Sequence, residues 1–216
     1  MRISKLAASK HKKGRILVQL DSGELLRIGE REVVAFSLYV GKELTAEEKT
    51  ALENAARESG LKDRALSLLT TRPMSRKELT DRLMERADAT EEEAEAVADE
   101  LERLGLLNDR TYAETLVRHY SAKGYGPYRL REELRRRGVP REYWDEVLSD
   151  LDDPSEAIDA FLRQKLHGRI TDRRELKRVS DALARRGYHW TDISAALRRY
   201  DASLEEDETC TPWNVC

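Results

Sequence analysis

Leu130-Arg-Glu-Glu-Leu134-Arg-Arg-Arg-Gly138 and Val179-Ser-Asp-Ala-Leu183-Ala-Arg-Arg-Gly187 decide the fold, because they are one pattern written twice at an offset of 49 residues. In each, apolar residues four apart mark one face of a helix, basic residues take the opposite face, and a glycine ends it in a left-handed turn that other residues resist. Leu79 and Leu83 stand 51 residues before Leu130 and Leu134 and supply a third copy. Self-similarity near 50 residues is the mark of stacked helical units that share a core with their neighbours.

Working outward, each copy reads as helix, loop, helix, turn, helix. Thr71-Arg72-Pro73 breaks the first unit and Ser75-x-x-Glu78 restarts it as a capping box; Gly124-Tyr125-Gly126-Pro127 does the same in the second. Asp153-Pro154 opens the third with an N-cap and a proline at the first helical position. The reading is a mainly α fold of three tandem three-helix repeats over 61–108, 109–152 and 153–200, forming an elongated curved body. An acidic tail follows over 201–216.

Before the repeats, residues 1–20 carry six basic side chains and no acidic ones, which reads as an electropositive arm. Ile16, Val18 and Leu20 alternate, Asp21-Ser22-Gly23 supplies turn chemistry, and Leu25 to Ile28 return, predicting a small β-hairpin. Thr45-x-x-Glu48 caps a helix that Ser59-Gly60 is expected to close, so 1–60 is arm, hairpin and helical extension.

Composition narrows the function. Of the 216 residues, 38% are charged and only 6% aromatic, which leaves a thin core and disfavours a large sandwich or barrel. A net charge of −3 on that much charge argues against self-repelling disorder. No run approaches a membrane span and Met1 is not followed by an apolar stretch, so the expectation is a soluble intracellular protein without membrane contact. Cys210 and Cys216 lie in the tail and read as reduced thiols. His11, His119, His167 and His189 are scattered, and there is no phosphate loop, dinucleotide fingerprint or His-Glu-x-x-His. The expectation is a binding module, with no catalytic residues, no metal and no cofactor.

Charge falls in blocks. Asp88 to Glu102 holds eight acidic residues and no basic ones, as does Glu142 to Asp159, whereas Arg118 to Arg141 holds eight basic against two acidic and Arg163 to Arg186 nine against three. The candidate contact residues are Lys123, Tyr125, Arg129, Arg131, Arg135, Arg136 and Arg137 in the second unit, and Arg173, Arg174, Lys177, Arg178, Arg185 and Arg186 in the third. Arginine predominates, and its planar fork suits bidentate contact with phosphate or carboxylate. The plainer alternative is a salt-bridged solvated face, with Glu132 on Arg136 and Glu133 on Arg137 at i, i+4. A stripe meeting six phosphates gives a log K against log salt slope of about −5. Tyr112, Tyr120, Tyr125 and Tyr128 read either as half-buried core or as stacking surfaces, Tyr125 being the best placed for stacking. Trp144 and Trp190 follow the glycine turns and are expected in the core.

Three segments together carry a resemblance. Ala65-x-x-Leu68-Leu69-Thr-Thr-Arg72-Pro73-Met74-Ser75-Arg76-Lys77-Glu78-Leu79, then Leu101-x-x-Leu104-Gly105-Leu106-Leu107-Asn108-Asp109-x-x-Tyr112-Ala113, then Gly124-Tyr125-Gly126-Pro127-x-Arg129-Leu130-x-x-Glu133-Leu134-x-x-Arg137-Gly138-Val139 resemble the bacterial regulatory RecX family over residues 61–200. The resemblance implies three tandem three-helix repeats; the expectation for the chain is a cytoplasmic monomer. The resemblance also implies binding to the RecA recombinase and its filament on DNA, with direct contact to single- or double-stranded DNA. Filament growth, strand exchange, ATP hydrolysis and the co-protease activity behind the SOS response would be restrained. The alternatives are a stand-alone helical DNA-binding protein and an enzyme with an unrecognised carboxylate site.

Overall fold

The computed structural model describes residues 1–10, 14–149, 151, 153–166 and 173–209, with side chains to Asp201. His11, Lys12, Lys13, Asp150, Asp152, His167, Arg169, Asp172, Cys210 and Cys216, all used in reading the sequence, lie outside the described residues. The chain divides into two compact units, 1–107 and 108–216.

The first unit starts with a three-stranded antiparallel sheet in the order β1 (Ile3–Ala8), β2 (Arg15–Leu20), β3 (Leu25–Gly29). The expected hairpin is β2 and β3, with Ile16 opposite Ile28 and Val18 opposite Leu26, turned by Gly23 at φ +86°. The expected basic arm is corrected, because Ile3–Ala8 of it is strand β1, paired with β2. A bulge between Ile3 and Lys5 puts Ser4 out of step, so the period-two pattern that reveals a strand is broken at its start.

Short helix α1 (Glu30–Ala35) leads to α2 (Ala46–Thr71), which Thr45 and Glu48 cap reciprocally as the sequence predicts. The expected stop at Ser59-Gly60 is also corrected: α2 runs through it for 26 residues. Gly60 makes no turn and lies inside α2, beside the Arg15 side chain. The Arg15 side chain, 9% exposed, reaches over from β2 to Asp63 Oδ2 at 2.7 Å and Ser59 Oγ at 3.3 Å. Its Nη2 lies 3.6 Å from where a Cβ on residue 60 would stand. One helix therefore serves two cores, with Leu52 under the sheet beside Val18, Leu20 and Ile28, and Leu61, Ala65 and Leu68 in the first repeat.

That repeat is completed by α3 (Arg76–Ala87) and α4 (Glu91–Arg103). Ser75 Oγ accepts from the Glu78 N–H at 3.1 Å, and α3 ends at Asp88 in the left-handed conformation, φ +49°. The acidic block is mostly α4, and it is structural. Arg76 bridges Glu95, Asp99 (2.6 Å) and Glu102 (2.7 Å), Lys62 binds Glu100, and Arg57 binds Glu93, tying α4 to α2 and α3.

The second unit holds two further three-helix repeats. Helices α5 (Asp109–Ser121), α6 (Pro127–Arg136) and α7 (Trp144–Ser149) enclose Tyr112, Leu116, Leu130, Leu134 and Val147. Helices α8 (Pro154–Lys165), α9 (Arg173–Arg185) and α10 (Trp190–Thr209) enclose Ile158, Leu162, Val179, Leu183 and Ile193. Asn108 caps α5 through its side chain and Asp153 caps α8 ahead of Pro154. The expected tail is shortened, because α10 continues to Thr209 with no Gly or Pro before Pro212 to stop it. The fold is thus mainly α, with three tandem three-helix repeats behind a small N-terminal sheet.

Candidate nucleic-acid and partner interface

Helix α6 is amphipathic from its spacing alone. Leu130, Glu133 and Leu134 are buried and Arg131, Arg135 and Arg136 are exposed. The expected pairs Glu132–Arg136 and Glu133–Arg137 do not form. Glu132 instead takes Arg129 Nη1 at 2.8 Å, and Glu133, 3% exposed, takes Arg129 Nη2 at 3.3 Å and Arg136 Nη2 at 2.5 Å. The helix ends at Arg136, so Arg137 is the C-cap residue and its half-buried side chain leaves the predicted line. Donating hydrogen bonds to the Glu133 carboxylate pushes the Arg136 guanidinium upward from its ordinary range. Arg129 and Arg136 are therefore partly consumed in keeping a buried carboxylate satisfied. Arg131 keeps a loose contact of 3.6 Å to exposed Asp145. Arg135 and Lys123 form no ion pair among the described residues; Lys123 sits over the Tyr120 ring at 5.4 Å.

Helix α9 separates its faces more cleanly. Val179, Ser180 and Leu183 are buried, while Arg173, Arg174, Lys177, Arg178 and Arg185 are all exposed. Arg174, Arg178 and Arg185 recur at four and seven residues and so share a face, and Arg173 and Lys177 flank it. Arg173, Lys177, Arg178 and Arg185 have no acidic partner among the described residues. Arg186, just past the helix, lies over the Phe161 ring at 4.6 Å.

Repeats 2 and 3 meet at their glycine turns. The Gly126 N–H donates to Arg186 O at 2.7 Å and the Tyr128 N–H to Gly187 O at 3.1 Å. Gly187 has φ +87°, and a Cβ there would stand 2.3 Å from the Arg129 nitrogen. The contact is backbone on backbone, which only glycine permits. It sorts the tyrosines. Tyr112 is buried; Tyr125 is half-buried, stacked on Tyr120 (5.4 Å, 9°) with Arg129 over its ring at 5.8 Å. Tyr128, by contrast, is 57% exposed and stacks on His189 at 5.8 Å.

The expectation that both tryptophans lie in the core holds only for Trp144, which packs on the second-repeat core and donates Nε1–H to Val139 O at 3.0 Å. Trp190 is 62% exposed. The repeat's own register carries the signal: the 49-residue offset aligns Trp190 with exposed Arg141, and buried Ile193 with Trp144.

Among the described residues, no group of three His, Cys, Asp or Glu side chains is placed to hold a metal, and no helix is long and apolar enough to cross a membrane.

Known proteins match this architecture. The profile of the RecX second three-helix domain matches residues 108–148, which are α5, α6 and most of α7. A regulatory protein RecX of Halorhodospira halophila is 34% identical over 166 residues, covering 74% of this chain and 98% of the relative. One from Streptococcus gordonii is 28% identical over 211 residues, covering 96% and 80%. A crystal structure of a regulatory protein RecX superimposes with a TM-score of 0.68 at 25% identity, covering 92% of this chain and 98% of the other. With its repeats, its capped helix starts and its glycine turns all accounted for, the chain belongs to the RecX family of regulatory proteins.

Proposed function

We propose that this chain regulates the RecA recombinase in the cytoplasm, as a monomer, by binding the recombinase and its filament on DNA. Filament assembly, strand exchange, ATP hydrolysis and co-protease activity are the processes it restrains. One observation carries the reading: Lys123, Arg135, Arg173, Lys177, Arg178 and Arg185 are exposed and lack acidic partners among the described residues, in a chain whose net charge is −3. Cations without an acidic partner among the described residues, in a chain so rich in carboxylates, are suited to phosphates, or to acidic side chains of a partner, held bidentately by arginine. The reading treats the exposed faces of α6 and α9 as one working surface, with Arg129, Arg136 and Arg186 as its supports. Contact of this kind is indifferent to base sequence.

The test is the ATPase rate of recombinase on single-stranded DNA as this protein is titrated in. The rate falls with wild type, and the fall is weakened by Arg135→Glu combined with Arg173→Glu, Lys177→Glu and Arg178→Glu. Arg136→Glu is a poor probe because it sets a carboxylate beside buried Glu133. An unchanged titration curve for the four-site variant refutes the surface, and no effect of wild type on the recombinase refutes the function.

A further inference from the structure

Two aromatic rings outside the basic faces meet at the joint of repeats 2 and 3, and an exposed tryptophan follows one of them in the chain. The Tyr128 N–H donates to Gly187 O, which places the start of α6 against the turn before α10. The Tyr128 and His189 rings stack across that joint with planes 22° apart. His189 is oriented independently. Its Nδ1 accepts from the Thr191 N–H at 3.3 Å and lies 2.7 Å from Thr191 Oγ1, so the ring itself acts at the first turn of α10. Trp190 follows directly, and all three side chains are exposed, Tyr128 at 57% and Trp190 at 62%.

Single exposed aromatics are common on protein surfaces. A cross-joint stack fixed by two backbone hydrogen bonds and by a ring in a cap, with an exposed tryptophan next to it in the chain, offers aromatic faces with little ordering cost left for a ligand. Its surroundings select the ligand. Arg129 lies one residue from Tyr128, Arg185 and Arg186 a few residues from His189, and Lys123 in the loop before α6, with Lys123 and Arg185 exposed and lacking acidic partners among the described residues. Aromatic faces interleaved with cations fit a chain of unstacked bases on a phosphate backbone. A duplex is excluded as the occupant of the rings, since its bases are already stacked on each other.

We infer that Tyr128, His189 and Trp190 form a base-stacking platform for single-stranded nucleic acid at the joint of repeats 2 and 3. This rests on the proposed DNA contact, and it adds the strand type and the residues that read it.

The experiment compares a fluorescent 15-nucleotide thymidine strand, an abasic strand of the same length and a duplex, by anisotropy, with the intact protein. Wild type binds the thymidine strand about 10-fold or more tighter than the abasic strand, the scale of one or two stacked bases. Tyr128→Ala and Trp190→Ala each reduce that preference about 5-fold or more and leave the salt slope and duplex affinity unchanged, while Tyr128→Phe keeps it. Both side chains are exposed, so circular dichroism and thermal melting of the alanine variants match wild type. Equal wild-type affinity for thymidine and abasic strands overturns the platform and leaves the basic surface standing. Loss of salt dependence with the thymidine preference retained does the reverse. Variants that keep their DNA affinities but lose recombinase binding also overturn it, by assigning the rings to a protein partner.

Discussion

Three glycines at the joint of repeats 2 and 3 separate the two costs that a side chain can impose there. Gly124 has φ +75°, and its hypothetical Cβ meets only Arg186 Nη1 at 2.7 Å, the far end of a side chain that can swing aside. Gly124→Ala therefore costs the left-handed backbone alone, about 1 kcal/mol. Gly126 has an ordinary φ of −82°, but its Cβ would stand 2.6 Å from Gly187 O, which is backbone and cannot yield without opening the joint. Gly126→Ala costs overpacking alone, about 1–3 kcal/mol. Gly187 meets both obstacles, with φ +87° and contacts of 2.3 Å to the Arg129 nitrogen and 2.6 Å to its Cβ. Opening that contact also gives up the Tyr128 N–H bond, so Gly187→Ala costs about 4 kcal/mol. All three tryptophans, Trp144, Trp190 and Trp213, lie in 108–216, so tryptophan fluorescence during urea unfolding reports this unit. At about 2 kcal/mol per molar urea the midpoint moves by roughly 2 M for Gly187→Ala and roughly 0.5 M for Gly124→Ala, with Gly126→Ala between them. A shift for Gly187→Ala no larger than that for Gly124→Ala refutes the backbone joint, and with it the alignment on which the aromatic stack depends.

The two faces of α9 predict opposite responses: Leu183→Ala, at a fully buried position, destabilises by about 2–5 kcal/mol, whereas Arg178→Ala stays within about 0.5 kcal/mol, both read by urea unfolding. Arg76→Ala releases Glu95, Asp99 and Glu102 and costs the first unit about 1 kcal/mol, a deficit that about 0.5 M salt narrows; a deficit unaffected by salt counts against an electrostatic tie. The Arg57 guanidinium and then the Thr90 N–H hold the Glu93 carboxyl at about 2, below its ordinary 4.5. A depressed folded-state value adds stability that is complete above pH 4.5 and is lost as pH falls toward 2. Thermal melts by circular dichroism over that interval show a shallower decline for Glu93→Gln, and parallel curves would refute the pairing. On DNA, each of Arg135→Gln, Arg173→Gln and Arg178→Gln lowers the slope of log K against log salt by about 1, measured by anisotropy.

What was legible in the sequence was what local rules determine. Thr45, Ser75 and Asp153 cap helices because a short polar side chain reaches the free N–H groups of a first turn wherever it stands. Leu79/Leu83, Leu130/Leu134 and Val179/Leu183 are buried because a four-residue step returns to one face. The features that escaped depend on partners distant in sequence. Strand β1 was hidden by the bulge at Ser4, and Gly60 reads as a stop until Leu52 and Leu61 on either side of it are seen buried in two different cores by one helix.

The basic residues of α6 show how far composition carries a functional reading and where geometry takes over. Five arginines fall between positions 129 and 137, and sequence treats them as one reservoir of charge. Helical geometry divides them. Positions 129 and 136 flank Glu133 at four and three residues, so their guanidiniums turn toward the one carboxylate that the helix buries. Position 137 falls just beyond the last helical turn, position 131 leans toward Asp145, and position 135, opposite Leu134 and Leu130, is left to solvent. Net charge is unchanged by this division, but reach is not, since a guanidinium held by a buried carboxylate cannot leave it without taking away one of the two cations that compensate that charge. Arg135→Glu and Arg136→Glu, identical in formal charge and adjacent in sequence, therefore act by different routes: the first weakens ligand binding at constant stability, the second unsettles the repeat before any ligand arrives. Unfolding midpoints measured beside DNA affinities for the two variants separate these routes, and equal effects on both quantities would return the five arginines to a single undivided stripe.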